Sequence, residues 1–137
     1  MDHNIFQRNV MEMLLAGDDP ILEGLRNQYE NSSVTSTEFT GVGFFTSFRV
    51  RAGIPWVAAG KSFSFGDVFG NWEDLENSSG FVLFVEDGYL SQLEGYMFVS
   101  NSWPSEYSGV VLTYADHGGT RDLEKFRKEI RSQLSKK

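Results

Sequence analysis

Residues 80–104 read GFVLFVEDGYLSQLEGYMFVSNSWP, and the reading of this stretch decides the fold. FVLFVE and YLSQLEGYMF flank Asp87-Gly88, two residues that tolerate the positive φ of a tight hairpin turn. The flanks are rich in aromatic and aliphatic residues at strand spacing, so the stretch is an antiparallel hairpin followed by an aromatic loop. Two registers are open. With a two-residue turn, Glu86 pairs with Tyr89, and Glu94 shares a face with Leu83, Val85, Leu90 and Gln92. With a three-residue turn beginning at Glu86, Val85 pairs with Tyr89, and Glu94 and Gln92 join Val82, Phe84 and Leu90. The second register leaves Phe81, Leu83, Val85, Tyr89 and Leu93 as the cleaner apolar face. One residue of slip exchanges the faces. In both registers Glu94 sits among large apolar side chains with no Lys or Arg near it in sequence.

Upstream of the hairpin, the period changes twice. Asp2 is placed to cap a helix whose apolar stripe is Ile5, Phe6, Val10, Met13 and Leu14, ending at Gly17. Asp19-Pro20 restarts a helix, a capping residue followed by proline at the first helical position. Its face is Ile21, Leu22, Leu25 and Tyr29, and Asn31-Ser32-Ser33 stops it. SVTSTEF and GFFTSFRV then read as two antiparallel strands joined through Gly41 and Gly43. RAGIPWVAAGK is a loop and SFSFGDV a short strand. FGNWEDLENSSG reads as a polar loop with a helical turn at Trp72–Leu75. Downstream, VVLTYAD is a strand, and Gly119 or Thr120 opens a last helix carrying Leu123, Phe126, Ile130 and Leu134 on one face.

The order is α-α-β-β-(β)-β-β-β-α. Segregated helices and short hairpins predict an α+β fold with an antiparallel sheet of five to six strands, two N-terminal helices and one C-terminal helix. At 137 residues the chain is most simply one domain, spanning 1–137. A chain of that size buries ~68% of its unfolded surface, enough for a core without cross-links. The absence of cysteine removes disulfides, thiolate metal sites and cysteine nucleophiles. The N-terminal residues show no signal peptide and no window reaches the ~20 apolar residues of a membrane span, so a cytoplasmic protein with no membrane partner is expected. Asn31-Ser32-Ser33 and Asn77-Ser78-Ser79 match a glycosylation sequon but read as turns.

Charge is unevenly distributed. The net charge is −7, which argues against nucleic acid as a partner because phosphates demand a basic face. Between Lys61 and Arg121 there is no Lys or Arg, while that segment carries nine acids: Asp67, Glu73, Asp74, Glu76, Glu86, Asp87, Glu94, Glu106 and Asp116. It also carries Phe69, Trp72, Tyr89, Tyr96, Trp103 and Tyr107. Residues 121–137 hold seven basic and three acidic groups, a net of +4. One reading makes the acids solubilising loop residues and the basic tail a helix whose cations complement its own dipole, with Arg127 and Arg131 facing the sheet's acids. The other makes acids and rings a recognition surface for a basic protein.

No catalytic motif is present. Gly41-Val42-Gly43 lacks the third glycine and the following helix of a dinucleotide site. His3 and His117 stand far apart without a His or Cys neighbour, so no zinc site and no cofactor are expected. His117-Gly118-Gly119 reads as a strand-to-helix connection, and Trp103-Pro104 as a plug of the core.

The text at Gly80–Pro104 resembles an uncharacterised family of small bacterial proteins with the pattern G-F-x-L-F-V-x-D-G-x-L-x-x-L-E-G-Y followed by W-P. Gly80, Phe81, Leu83, Phe84, Val85, Asp87, Gly88, Leu90, Leu93, Glu94, Gly95, Tyr96, Trp103 and Pro104 meet it, and Met97 stands where a small polar residue is expected. The resemblance implies a bacterial source and no reaction.

The expected function is non-enzymatic protein binding through Trp72, Glu73, Glu86, Glu94, Tyr96 and Trp103, with an immunity protein that blocks a basic toxin as one form. The alternatives are a small-ligand or enzyme domain with Glu94 in a pocket near Tyr96 and Trp103, and a homo-oligomeric structural protein using its aromatic loops.

Overall fold

Asp2 accepts the Ile5 N–H at 2.9 Å and so starts helix α1, His3–Leu14. Asp19 caps helix α2, Pro20–Glu30, by accepting the Ile21 and Leu22 N–H groups. Gly17, at φ +127°, turns the chain between them. The computed structural model describes residues 2–72, 78–98, 102–115 and 120–135. Seven strands follow the helices: β1 (Ser32–Phe39), β2 (Gly43–Val50), β3 (Phe63–Phe65), β4 (Val68–Trp72), β5 (Ser78–Glu86), β6 (Tyr89–Met97) and β7 (Val110–Tyr114). Helix α3, Leu123–Leu134, closes the order. The architecture is α+β, with the three helices placed in sequence as expected.

The sheet is antiparallel in the order β1-β2-β6-β5-β4-β7, with β3 also on β5. Strands β3 and β4 follow one another along β5, parted by Gly66 and Asp67. The extra strand relative to the sequence reading is β4, where a polar loop was expected. Val68, Gly70 and Trp72 are buried and alternate with Phe69 and Asn71, a period of two that the glycine and asparagine disguise. The expected helical turn at Trp72–Leu75 fails at its first residue, which ends β4; residues 73–77 lie outside the described residues.

All three helices contribute to the core on one side of the sheet. Phe6, Val10, Met11 and Leu14 of α1, Leu22 and Leu25 of α2, and Phe126 and Ile130 of α3 join Phe44, Phe48, Phe81, Leu83, Val85, Leu90 and Leu93 in one buried cluster. The stripe of α1 is rotated from the expected one: Met11 is buried, whereas Ile5 is exposed and Met13 only half-buried. Gln7 takes an inward position and accepts a hydrogen bond from the Thr46 hydroxyl. Helix α3 is capped by Asp122, which accepts the Lys125 N–H, rather than by Thr120.

The hairpin register combines the two sequence alternatives. Asp87 and Gly88 have φ of 51° and 82°, and Glu86 pairs with Tyr89, as in a two-residue turn. A bulge at Ser91 then shifts the ladder, so Leu93 pairs with Leu83, and Glu94 with Val82. Leu90 and Leu93 therefore both face the core, which neither regular register permits. Gln28 of α2, fully buried, holds this corner: its amide donates to the Gly88 and Pro55 carbonyls and accepts the Leu90 N–H at 2.9 Å.

Arg121 fastens α3 to the rest. Its guanidinium meets Asp67 through two 2.8 Å bonds and donates to the Leu14 and Ala16 carbonyls at 2.7 Å, at the C-terminal end of α1. Phe126, Phe65 and Tyr114 surround it, with the Phe126 centroid 4.7 Å away. The Arg121 side chain is 4% exposed. Arg121→Met should destabilise the fold by at least about 3 kcal/mol in urea unfolding, because it strands Asp67 and the helix carbonyls. Arg121→Lys should recover little of this, since a point ammonium cannot serve the carboxylate and two carbonyls together.

Candidate functional site

The sheet has two unlike faces. One lies under the helices. The other carries Phe45, Ser47 and Arg49 of β2, Val82, Phe84 and Glu86 of β5, Gln92, Glu94 and Tyr96 of β6, and Phe69 and Asn71 of β4, and no described helix crosses it. Glu94 sits in a row between Phe45 and Val82, and Glu38 of β1 extends that row beyond Phe45. Glu94 makes no hydrogen bond or ion pair with the described residues. An antiparallel sheet with one covered face normally alternates apolar-in with polar-out; here four rings, Phe45, Phe69, Phe84 and Tyr96, and Val82 stand among the polar outward residues.

Glycines create this surface. A Cβ on Gly80 would lie 2.6 Å from the Tyr96 hydroxyl oxygen, so the Tyr96 ring lies across the bare backbone of its strand partner. Phe98, 50% exposed, packs against Tyr96 and Phe69 at centroid distances of 5.6 and 5.4 Å. On the helix side the arrangement is mirrored: a Cβ on Gly95 would meet the Phe44 ring at 2.2 Å. Glu94-Gly95-Tyr96 thus has a packing reason at its second and third residues, while Glu94 has none. Tyr96, Phe98 and Phe69 form one aromatic row with the acid beside it.

The remaining expected site residues are distributed differently. Glu86 ends β5 on the open side and accepts the Ser91 hydroxyl. Trp72 is 6% exposed on the helix side, its indole N–H on the Glu106 carbonyl at 3.0 Å, so its ring belongs to the core and not to an outer surface. Trp103 packs on Phe6, Phe44, Trp72 and Phe81, also on the helix side. Glu73 lies outside the described residues, as does the connection at His117-Gly118-Gly119. A pocket uniting Glu94, Tyr96 and Trp103 is not formed, because the sheet stands between the first two and the third.

Trp103 instead borders a cleft of about 450 Å³ with His3, Phe39, Gly41, Ser105 and Tyr107. The Trp103 indole donates to the Tyr107 oxygen at 3.1 Å, and Tyr107 meets His3 Nδ1 at 2.6 Å. An indole only donates, which leaves the phenol proton available to His3 Nδ1 and the imidazole proton on Nε2. His3 Nε2 is buried and makes no hydrogen bond of good geometry with the described residues. Burial lowers the His3 pKa below its ordinary value, opposed in part by the Gln7 side chain and the Asp2 carboxylate. Burial also raises the Tyr107 pKa, opposed by the Trp103 bond. Sequence reasoning missed this cluster because its members are 104 residues apart, and an isolated histidine in a first helical turn carries no signal.

The cationic helix lies away from the open face. Arg127 pairs with Asp19 at 3.1 Å and donates to the Asp18 carbonyl, so it faces the α2 N-terminus and not the acids of the sheet. Among the described residues no three His, Asp or Glu side chains gather as a metal-ligand set, and no helix is long and apolar enough to cross a membrane. Comparison of the chain with protein-family models, with curated proteins and with solved structures finds no match to any of them.

Two measurements test these assignments. Gly95→Ala should cost about 1–3 kcal/mol of unfolding free energy through collision with Phe44, whereas Glu94→Gln should leave stability within about 0.5 kcal/mol. Because the folded-state pKa of His3 is lowered, the unfolded chain takes up its proton first as pH falls. The stability held by neutral His3 is complete above its ordinary value of 6.5 and declines as pH falls from there towards the folded-state pKa. The loss in urea midpoint between pH 7.5 and 5.5 should be smaller in His3→Gln than in the parent chain.

Proposed function

We propose that this chain is a protein-binding module whose open sheet face docks a basic protein. The observation that carries the reading is the aromatic row Tyr96, Phe98 and Phe69, bordered by Glu94, which has no ion pair with the described residues, and set on a sheet face that no described helix covers. Phe98 is exposed, with Tyr96 and Phe69 half-buried beside it; contiguous apolar surface on one face marks an interaction site, whereas rings scattered singly do not. The rings supply desolvated contact area, and the acids Glu38, Glu86 and Glu94 raise the rate of encounter with a cationic partner. Arg49 is the one cation placed on that face among the described strand residues, and it stands at the far end of β2 from Tyr96. An immunity protein that captures a basic toxin is the specific form that fits these features. Trp72 and Trp103 have no part in the contact; their rings maintain the opposite layer.

Site-specific photo-crosslinking in the source cells tests the reading. A photoreactive residue replacing Phe98 should give a defined adduct with a basic protein, and one replacing Ser132 on α3 should not. Combined reversal of Glu38, Glu86 and Glu94 to lysine should abolish the adduct, and added salt should weaken it. An adduct indifferent to both, or its absence at Phe98, would refute the proposal.

A further inference from the structure

Strand β1 is an edge of the sheet, and every residue from Ser33 to Phe39 is exposed. Two hydrogen bonds set its phase: Arg51 N–H to the Asn31 carbonyl at one end, and Thr40 N–H to the Gly43 carbonyl at the other. Alternation from these points directs the backbone groups of Ser33, Ser36 and Glu38 towards β2. Ser32, Val34, Thr37 and Phe39 then present their N–H and C=O groups outward. The bulge between Val34 and Ser36 makes the outward spacing irregular, with three residues from Val34 to Thr37 where two are normal. A regular strand added to this edge matches one half or the other. A second β1 carries the same gap and matches both.

We propose that β1 pairs antiparallel with the β1 of a second copy of this chain, about a two-fold axis between Thr35 and Ser36. The register that uses every outward group sets Ser32 opposite the second copy's Phe39 and Val34 opposite its Thr37. Four such pairs exchange up to about eight backbone bonds. The same register sets Ser33 opposite Glu38 of the second copy. Ser33 pairs with Arg49 in its own chain, so Arg49 and that Glu38 lie on one row, about two strand spacings or ~9.6 Å apart, across a serine. Arginine and glutamate side chains together cover that span. Neither Arg49 nor Glu38 has an ion pair or a side-chain hydrogen bond with the described residues of its own chain, and the axis repeats the contact. Val34, 51% exposed, and Phe39, 58% exposed, gain cross-strand neighbours on the helix side. No Lys or Pro in β1 blocks such pairing. The contact differs from docking on the open face and stands without it.

Sedimentation equilibrium of the full chain decides the matter. The parent chain should show a monomer–dimer equilibrium across a wide concentration range. Val34→Pro removes an outward N–H at an exposed edge position and should leave a folded monomer. Glu38→Arg and Arg49→Glu should each weaken the dimer about tenfold, since each change acts at two symmetric contacts. The double exchange should restore it to within a few-fold of the parent. These two side chains are exposed and alter no backbone group, so they decide the question even if the proline variant fails to fold. A parent chain that stays monomeric throughout, a dimer indifferent to Val34→Pro, or a double exchange no tighter than the single changes overturns the proposal.

Discussion

The Arg121 guanidinium is the contact through which three separated parts of the chain become one structure. It neutralises Asp67 at the break between β3 and β4 and receives the carbonyl end of α1. Both partners need it for the same physical reason: a carboxylate and a helix C-terminus each present negative charge, and placing them together without a cation is repulsive. Arg26 serves the same helix end from α2, donating to the Leu15 and Gly17 carbonyls. Tyr114 of β7 adds its hydroxyl to the Met13 carbonyl. The turn after α1 is therefore enclosed by donors from α2, from β7 and from the segment leading into α3. The cation excess of the C-terminal segment begins with a buried structural charge.

Once the helices are fixed on one side, sheet register is settled by shape. Gly80 and Gly95 face opposite sides of the sheet, and each receives a ring from a neighbouring strand. A ring over a bare backbone restores the packing that a glycine forfeits and makes any slip collide. At the turn end, Gln28 holds the Gly88 carbonyl and the Leu90 N–H on either side of Tyr89, next to the bulge at Ser91. Two mechanisms, ring against glycine and amide against bulge, hold the hairpin at its two ends.

The consequence for function is a separation of aromatic roles. Trp72, Trp103, Tyr107, Phe6 and Phe44 form a layer beneath the helices, tied together by the Trp103–Tyr107–His3 bonds. Tyr96, Phe98 and Phe69 lie on the opposite face, beside Glu94, which finds no partner among the described residues. The first group accounts for stability. The second packs partly on the bare Gly80 backbone and leaves Phe98 half exposed on a face without a helix, and that exposed apolar area supports the proposed docking role.

Helix positions, their Asp2 and Asp19 caps, the Asp87-Gly88 turn and the α+β class were all legible in the sequence. Each depends on residues within a few positions of one another, where spacing and turn chemistry act directly. Strand β4 was hidden because Gly70 and Asn71 mask its alternation, and β5 and β7 stabilise it from outside. The partition of acids and rings was not legible either. Successive residues of a strand emerge on opposite faces, and in β6 the bulge at Ser91 decides which, bringing Glu94 and Tyr96 out on the open face while Leu90 and Leu93 turn inward. The sequence by itself determined the local elements and the charge imbalance between segments. Only the tertiary structure decided which rings are core, which face is bare, and that Arg121 is spent inside the fold, because those outcomes depend on contacts between residues tens of positions apart.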